Sequence, residues 1–372
     1  MESGIGMFVP GRLCLFGEHS DWAAEYGVHE GYCLVIGTDQ GLSATVRRSP
    51  EFMVETELPG ENGVPSGRKR RMSCRWDPEM LLSAAKDREE FFRYCAGVAY
   101  QMTSLPGVTG GIDLEISAMD LPLRKGVSSS AAVCILVARA FDAVYGLGLF
   151  PHELMEIAYR GEVLTGSRCG RMDQACIYGK TPVLLTFAKG AGVRVEPVFP
   201  ASEVHMLFVD LGGKKDTVRI LADLQAAYPG SADLQRALGG ENERIVRLAY
   251  RALTDGDAEA IGRLMTEAQR GFDERVAPHS PQELESPLLH AVLSLEEIQT
   301  HVLGGKGVGS QGDGTAQIVA RSREDRDAAM EKIRRRFPGM ACFPLTIHGE
   351  RRSALARSSP GRNETVRRTF ER

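Results

Sequence analysis

Three consecutive serines and a few charged residues set among glycines are the parts of this 372-residue chain equipped for chemistry. The serines sit in the run Pro122-Leu123-Arg124-Lys125-Gly126-Val127-Ser128-Ser129-Ser130-Ala131-Ala132. Residues 131–145 then form an apolar stretch at helical spacing, broken only by Arg139 and Asp142. A small-residue loop that feeds into a buried helix leaves the first N–H groups of that helix unpaired, and the helix dipole adds partial positive charge there. Such a place attracts anions, phosphate above all. Serine hydroxyls there suit a helix cap or a magnesium ion. Lys125, Gly126, Val127, Ser128, Ser129, Ser130 and Ala131 are the candidate phosphate-binding residues. The competing reading is an ordinary Ser-capped core helix.

Phosphoryl transfer also needs a metal, a positioned acceptor and a group that manages the acceptor's proton. The segment Gly161-Glu162-Val163-Leu164-Thr165-Gly166-Ser167-Arg168-Cys169-Gly170-Arg171-Met172-Asp173-Gln174 offers two carboxylates. Glu162 falls at the end of a helical pattern, where it either reaches a metal or faces solvent. Asp173 lies in a Gly-rich turn before residues 175–178, which read as strand-like. It is either a reactive carboxylate or a turn-forming Asx residue. Arg12 follows a Pro-Gly turn and opens a strand, with a surface salt bridge as its plainer role.

Two more segments complete a pattern. One is Pro10-Gly11-Arg12-Leu13-Cys14-Leu15-Phe16-Gly17-Glu18-His19-Ser20-Asp21. The other is Gly304-Gly305-Lys306-Gly307-Val308-Gly309-Ser310-Gln311-Gly312-Asp313-Gly314. With the serine loop, they stand in the order and rough spacing of the three motifs of the GHMP kinases, and the chain resembles that superfamily from residue 10 to about residue 320. The first segment and the Asp173 segment look most like those of galactokinases. The resemblance implies ATP and Mg2+ as cofactors, with Asp173 facing the acceptor hydroxyl and Arg12 beside it. It also implies Glu162, Ser129 and Ser130 near the metal. Glu18, His19, Asp21, Asp173, Gly309 and Gly312 are the implied substrate-binding residues, His19 having a buried structural role as its alternative. The implied reaction moves the gamma-phosphate to a sugar, at the anomeric hydroxyl by analogy. Mevalonate or another non-sugar alcohol is the runner-up. A catalytically silent ATP- and sugar-binding regulator is the third reading, disfavoured because it needs no Arg12 and Asp173 pair.

Three departures from the family pattern stand out. Arg124 and Lys125 replace small residues. Trp22-Ala23-Ala24-Glu25 replaces a Tyr-Asn-Gly-Gly type of continuation. Asp313 places an acid in the third Gly-rich loop, where phosphates would repel it unless it binds metal or substrate.

The elements that must position these residues read as α+β, strands dominating early and helices later. Strand-like runs occur at residues 12–16, 42–47, 52–57 and 111–116. Helical runs occur at 89–102, 130–145 and 152–164. A hairpin over 183–187 and 193–198 precedes a strand at 204–209. Residues 217–300 read as mostly helical, and Asp216 as the cap of the helix that begins at Thr217. A strand at 316–319, a charged helix at 323–336 and a strand at 341–347 close the pattern. This predicts an N-terminal domain over 1–200, a C-terminal domain over 201–350 and a disordered basic tail over 351–372, with the active site between the domains.

A net charge of -4 and 43% hydrophobic residues describe an ordinary globular protein. They give no reason to expect nucleic acid or a membrane as partner. The first residues lack a signal-peptide pattern, so the expected location is cytoplasmic. Eight scattered cysteines are expected as buried thiols. The sequence leaves the oligomeric state open.

Overall fold

The computed structural model describes residues 4–59, 65–120 and 129–349. The phosphate-loop residues Lys125, Gly126, Val127 and Ser128, together with Arg124 and the tail from residue 351, lie outside them.

Two sheets organise the described chain. The first contains β1 (Ile5–Phe16), β2 (Gly31–Ser49), β3 (Glu51–Pro59), β4 (Pro65–Arg75), β5 (Gly111–Met119), β6 (Val183–Phe187) and β7 (Arg194–Pro197). Its order is β4-β3-β5-β2-β6-β7, with β1 paired to β2. The pivot is β2, whose first residues pair with β6 and whose last residues pair with β5. All pairings are antiparallel except β3 with β5. The second sheet has the order β11-β8-β10-β9, formed by β8 (Val204–Asp210), β9 (Val302–Gly307), β10 (Thr315–Ala320) and β11 (Ala341–Ile347).

Twelve α-helices accompany the sheets among the described residues. They are α1 (Ser20–Ala24), α2 (Pro78–Lys86), α3 (Arg93–Met102), α4 (Ser129–Tyr145), α5 (Pro151–Leu164), α6 (Thr217–Ala227), α7 (Ala232–Arg236), α8 (Asn242–Asp255), α9 (Ala258–Arg275), α10 (Pro281–Leu284), α11 (Pro287–Leu293) and α12 (Arg323–Arg336). Local chemistry explains several boundaries. Asp216 accepts from Arg219 N–H at 3.1 Å and starts α6, as expected. Ser322 accepts from Asp325 N–H at 3.0 Å, and α12 carries acids in its first turn and Arg334, Arg335 and Arg336 in its last, which suits the helix dipole.

Alternation along β1 and β2 splits their side chains between two cores. Cys14, Cys33 and Val35 join α3, α4 and α5 in one cluster. Leu13, Leu15, Leu34 and Ile36 face the other way, onto α8, α9 and residues of the second sheet such as Phe208 and Leu345. One apolar cluster therefore spans both sheets. Strands of the first sheet end at Pro197 and those of the second begin at Val204. A domain division near residue 200 remains a proposal.

One sequence expectation fails here. Residues 175–178 are not a strand but part of a 3-10 helix, Asp173–Tyr178, with Asp173 as its first residue. A short apolar run bounded by glycine fits a buried helical turn as well as a strand.

Candidate active site

Strand β1 and the 3-10 helix meet at Arg12 and Asp173. Arg12 does not open the strand, in contrast to the expectation from the Pro-Gly pair. It lies within Ile5–Phe16, where Pro10 and Gly11 make a register irregularity instead of a turn. Arg12 is buried, and its guanidinium Nη2 donates to Asp173 Oδ1 in an ion pair. Burial opposes the Arg12 charge, but Asp173 and the further acidic neighbours more than offset this and raise its pKa. Asp173 is the more accessible partner, at 22% side-chain exposure against 4%. The arrangement thus presents a partly exposed carboxylate with a fixed, buried cation behind it.

Glu162, near the end of α5, is buried beside this pair. Its Oε1 accepts from Ser130 Oγ at 2.8 Å and its Oε2 from Gln174 Nε2 at 2.9 Å. Burial, then the Asp173 charge, pushes its pKa up to about 7 against these two hydrogen bonds. Ser129 and Ser130 open α4, both half-buried, and Ala131 is buried in the same first turn. Adjacent hydroxyl and carboxylate oxygens are the hard donors that magnesium takes, and a divalent cation would reverse the cost of a buried Glu162 charge. Ser130 and Glu162 therefore fit the metal that the motifs imply.

The turn from Gly17 to α1 carries the other expected site residues. Glu18 Oε1 is paired with Lys306 Nζ, and Lys306 also donates to Gly307 O at 2.8 Å. Both side chains are buried. The first partner of Glu18 is thus a lysine of β9. His19 adopts a left-handed backbone, φ 67°. Its Nδ1 accepts from Trp22 Nε1 at 3.0 Å, and its ring stacks on Phe272, centroids 6.0 Å apart. Burial, then the charge of Lys215, lowers its pKa to about 4, with Lys306 and Arg12 adding to the effect against the Ser310 main chain. His19 is a neutral, packed histidine at pH 7. Asp21 Oδ2 accepts from Met172 N–H at 3.2 Å, and burial, then Asp173, pushes its pKa up to about 6.

The loop between β9 and β10 carries Gly309 and Gly312, both at positive φ. Lys215 lies along this loop. Its Nζ donates to Gln311 O at 2.8 Å, and a Cβ on Gly314 would meet its Cε at 2.6 Å. Asp313 is explained by packing: its Oδ1 accepts from Leu289 N–H at 3.0 Å in the first turn of α11. It is a capping acid, so the expected conflict with phosphate is replaced by a structural role. Trp22 is also structural, packed among Leu224, Tyr228, Leu238 and Phe272. All eight cysteines are free thiols, seven of them buried and Cys169 partly exposed.

The structure therefore brings Arg12, Asp21, Asp173, Glu162 and Ser130 together, and pairs Glu18 with Lys306 of β9. Sequence reasoning quoted Lys306 without singling it out. The signal was present, since a lysine between Gly305 and Gly307 in a strand of small residues requires a buried partner. Gly170 was missed as well: a Cβ there would collide with the Asp21 carboxylate.

Comparison with known proteins gives this geometry its family context. Residues 91–180 match the model for the GHMP kinases N terminal domain. A galactokinase of Thermotoga neapolitana is 23% identical over 367 residues, covering 91% of this chain and 95% of that protein. A galactokinase of Chloroflexus aurantiacus is 26% identical over 294 residues, covering 69% and 70%. Among solved structures, Lactococcus lactis galactokinase complexed with galactose superposes with a TM-score of 0.69 at 18% identity, covering 94% of this chain and 95% of that one. Mevalonate kinase of L. major in complex with R-mevalonate gives 0.68 at 20% identity, covering 94% and 98%. The structural likenesses establish the fold. Among the described residues, no helix is long and apolar enough to cross a membrane.

Proposed function

We propose, for a chain that belongs to the GHMP kinase superfamily and is a phosphotransferase acting on an alcohol, that the acceptor is a hydroxyl of a sugar or sugar derivative. The observation that carries this reading is the Arg12–Asp173 pair, buried on the arginine side and open on the carboxylate side. The acceptor hydroxyl would donate to a carboxylate oxygen of Asp173, which would take its proton as the new P–O bond forms and the bond from the transferred phosphorus to its bridging oxygen breaks, with ADP as the leaving group. Arg12 supplies the counter-charge that keeps this carboxylate oriented and stabilises negative charge beside it. Ser130 and Glu162 would hold Mg2+, and the first turn of α4 with residues 125–128 would hold the phosphates of ATP. Bound there, MgATP supplies the phosphoryl group and screens its charge.

The similarity to galactokinases favours sugars, and the anomeric hydroxyl is the position by analogy. The test is ADP release measured against free sugars, sugar acids, inositols and mevalonate. Turnover is expected with one sugar or sugar-like compound. Turnover with mevalonate alone would overturn the sugar assignment, and turnover with none of them would favour a silent nucleotide-binding protein.

The metal assignment has its own test. Glu162→Gln is expected to raise the Mg2+ concentration for half-maximal turnover by about tenfold or more, because it removes a charged oxygen donor. Ser130→Ala should shift the same titration in the same direction. Unchanged titrations in both variants would place the metal elsewhere.

A further inference from the structure

Helix α1 and the turn after it use two faces. Asp21 and Glu25 stand four residues apart and so lie on one side of a helical turn. Asp21 Oδ2 accepts from Met172 N–H at 3.2 Å, and Glu25 Oε1 accepts from Arg171 Nη1 at 2.6 Å. These two neighbouring residues immediately precede Asp173. Arg171 is held from the other side as well, its Nε 3.4 Å from Glu156 Oε2 and its guanidinium 4.3 Å from the Tyr159 ring centroid. Gly170 completes the contact, because only an absent side chain lets the Asp21 carboxylate approach.

Trp22 and Tyr26 form the second pair at this spacing, on another side. Both pack on Tyr228 of the C-terminal helical layer, at centroid distances of 5.6 and 4.9 Å, and Tyr26 Oη donates to Gln225 O at 3.0 Å. The sequence Asp21-Trp22-Ala23-Ala24-Glu25-Tyr26 therefore grips the Asp173 segment with its acids and the C-terminal helices with its aromatics. The two alanines between them leave room for close packing, both being buried.

We infer that Asp21 and Glu25 are positioning residues that fix the backbone of residues 170–172 and thereby aim Asp173 at the acceptor. This inference rests on the proposed role of Asp173. It differs from the reading of Asp21 as a hydroxyl ligand, because the Asp21 carboxylate is buried against Gly170 and bonded to the main chain that bears the catalytic group. Its loss is felt in orientation, and a displacement of an ångström at a catalytic group costs up to about a hundredfold in rate. A hydroxyl ligand would instead act on KM for the alcohol.

The experiment measures kcat and KM for Asp21→Ala, Asp21→Asn, Gly170→Ala and Glu25→Ala, together with deuterium uptake of peptides spanning residues 168–176. Asp21→Ala and Gly170→Ala are expected to lower kcat by roughly ten- to a hundredfold with KM for the alcohol within about twofold of wild type. Uptake in 168–176 should rise in both. Asp21→Asn retains a carbonyl acceptor for Met172 N–H and should recover most of the lost kcat. Glu25→Ala removes an exposed carboxylate, leaves the packing intact and should give a smaller loss of kcat of the same kind. A large rise in KM for the alcohol in Asp21→Ala, with kcat and uptake unchanged, would overturn the inference and make Asp21 a substrate ligand. A failure of Asp173→Asn to impair turnover would instead remove the proposed role of Asp173, so the two failures are distinguishable.

Discussion

Asp173→Asn is expected to lower kcat by about a hundredfold or more while nucleotide affinity stays near wild type. The amide keeps the shape of the carboxylate but cannot take the acceptor proton. It also leaves the Arg12 cation with a neutral partner, so the charge arrangement around the transferred group changes. The residues proposed to bind nucleotide are untouched, since Ser129, Ser130 and Ala131 lie in α4, and Asp173 and the Arg12 strand lie outside it. Single-turnover rates with saturating ATP, paired with nucleotide titration of the same preparation, measure both quantities. A variant with near-wild-type kcat would show that Asp173 is not the base.

The Arg12–Asp173 pair was legible because each partner sits in a short, distinctive segment, although 161 residues separate them. The same holds for Glu162, whose place near the end of a helical pattern matches the end of α5 at Leu164. Helix α12 was legible to the residue, as its cap and its charge gradient are local signals. Strand β4 was not, since Arg68, Lys69, Arg70 and Arg71 look like a solvated loop. It becomes a strand by pairing with β3, where Arg71 stands opposite Glu55 and Lys69 opposite Glu57, and this cross-strand complementarity is invisible to a local pattern. Helix α2 was also passed over, although Asp77 before Pro78 is a clear start signal and accepts from Met80 N–H at 3.0 Å.

The roles of Glu18, Asp313 and Trp22 could not be read for a related reason. A carboxylate that binds a substrate hydroxyl and one that binds a buried lysine or a helix N-terminus are the same residue in a sequence. Lys306 lies 288 residues from Glu18, and α11 lies across a loop from Asp313. Only the fold says which partner each acid meets. Trp22 departs from the family pattern where Leu224, Tyr228, Leu238 and Phe272, all far along the chain, pack around it together with its neighbours His19 and Tyr26.

The buried Glu18–Lys306 pair should dominate the response of the fold to single substitutions. Lys306→Met keeps the length of the side chain but leaves the Glu18 carboxylate buried without its counter-charge, and it frees the Gly307 carbonyl of one donor. Breaking one partner of a buried ion pair costs about 3–5 kcal/mol, because the remaining charge has lost its solvation and gained nothing in return. At the usual unfolding entropy per residue, each kcal/mol moves the Tm of a 372-residue chain by roughly 1.3 °C, so a fall of about 4–6 °C is expected. Replacing both partners, Glu18→Leu with Lys306→Met, removes the stranded charge along with the attraction. The double variant should therefore melt well above Lys306→Met alone. This non-additivity separates an ion-pair effect from a packing effect, since two independent packing losses would add and lower Tm further. The pair also joins the β1–α1 turn to β9, so its rupture should loosen the first-motif turn against the third-motif loop. Thermal melts of the three variants at pH 7 decide the matter. A Lys306→Met protein that melts with wild type, or a double variant that melts below it, would show that Glu18 is stabilised by something other than Lys306.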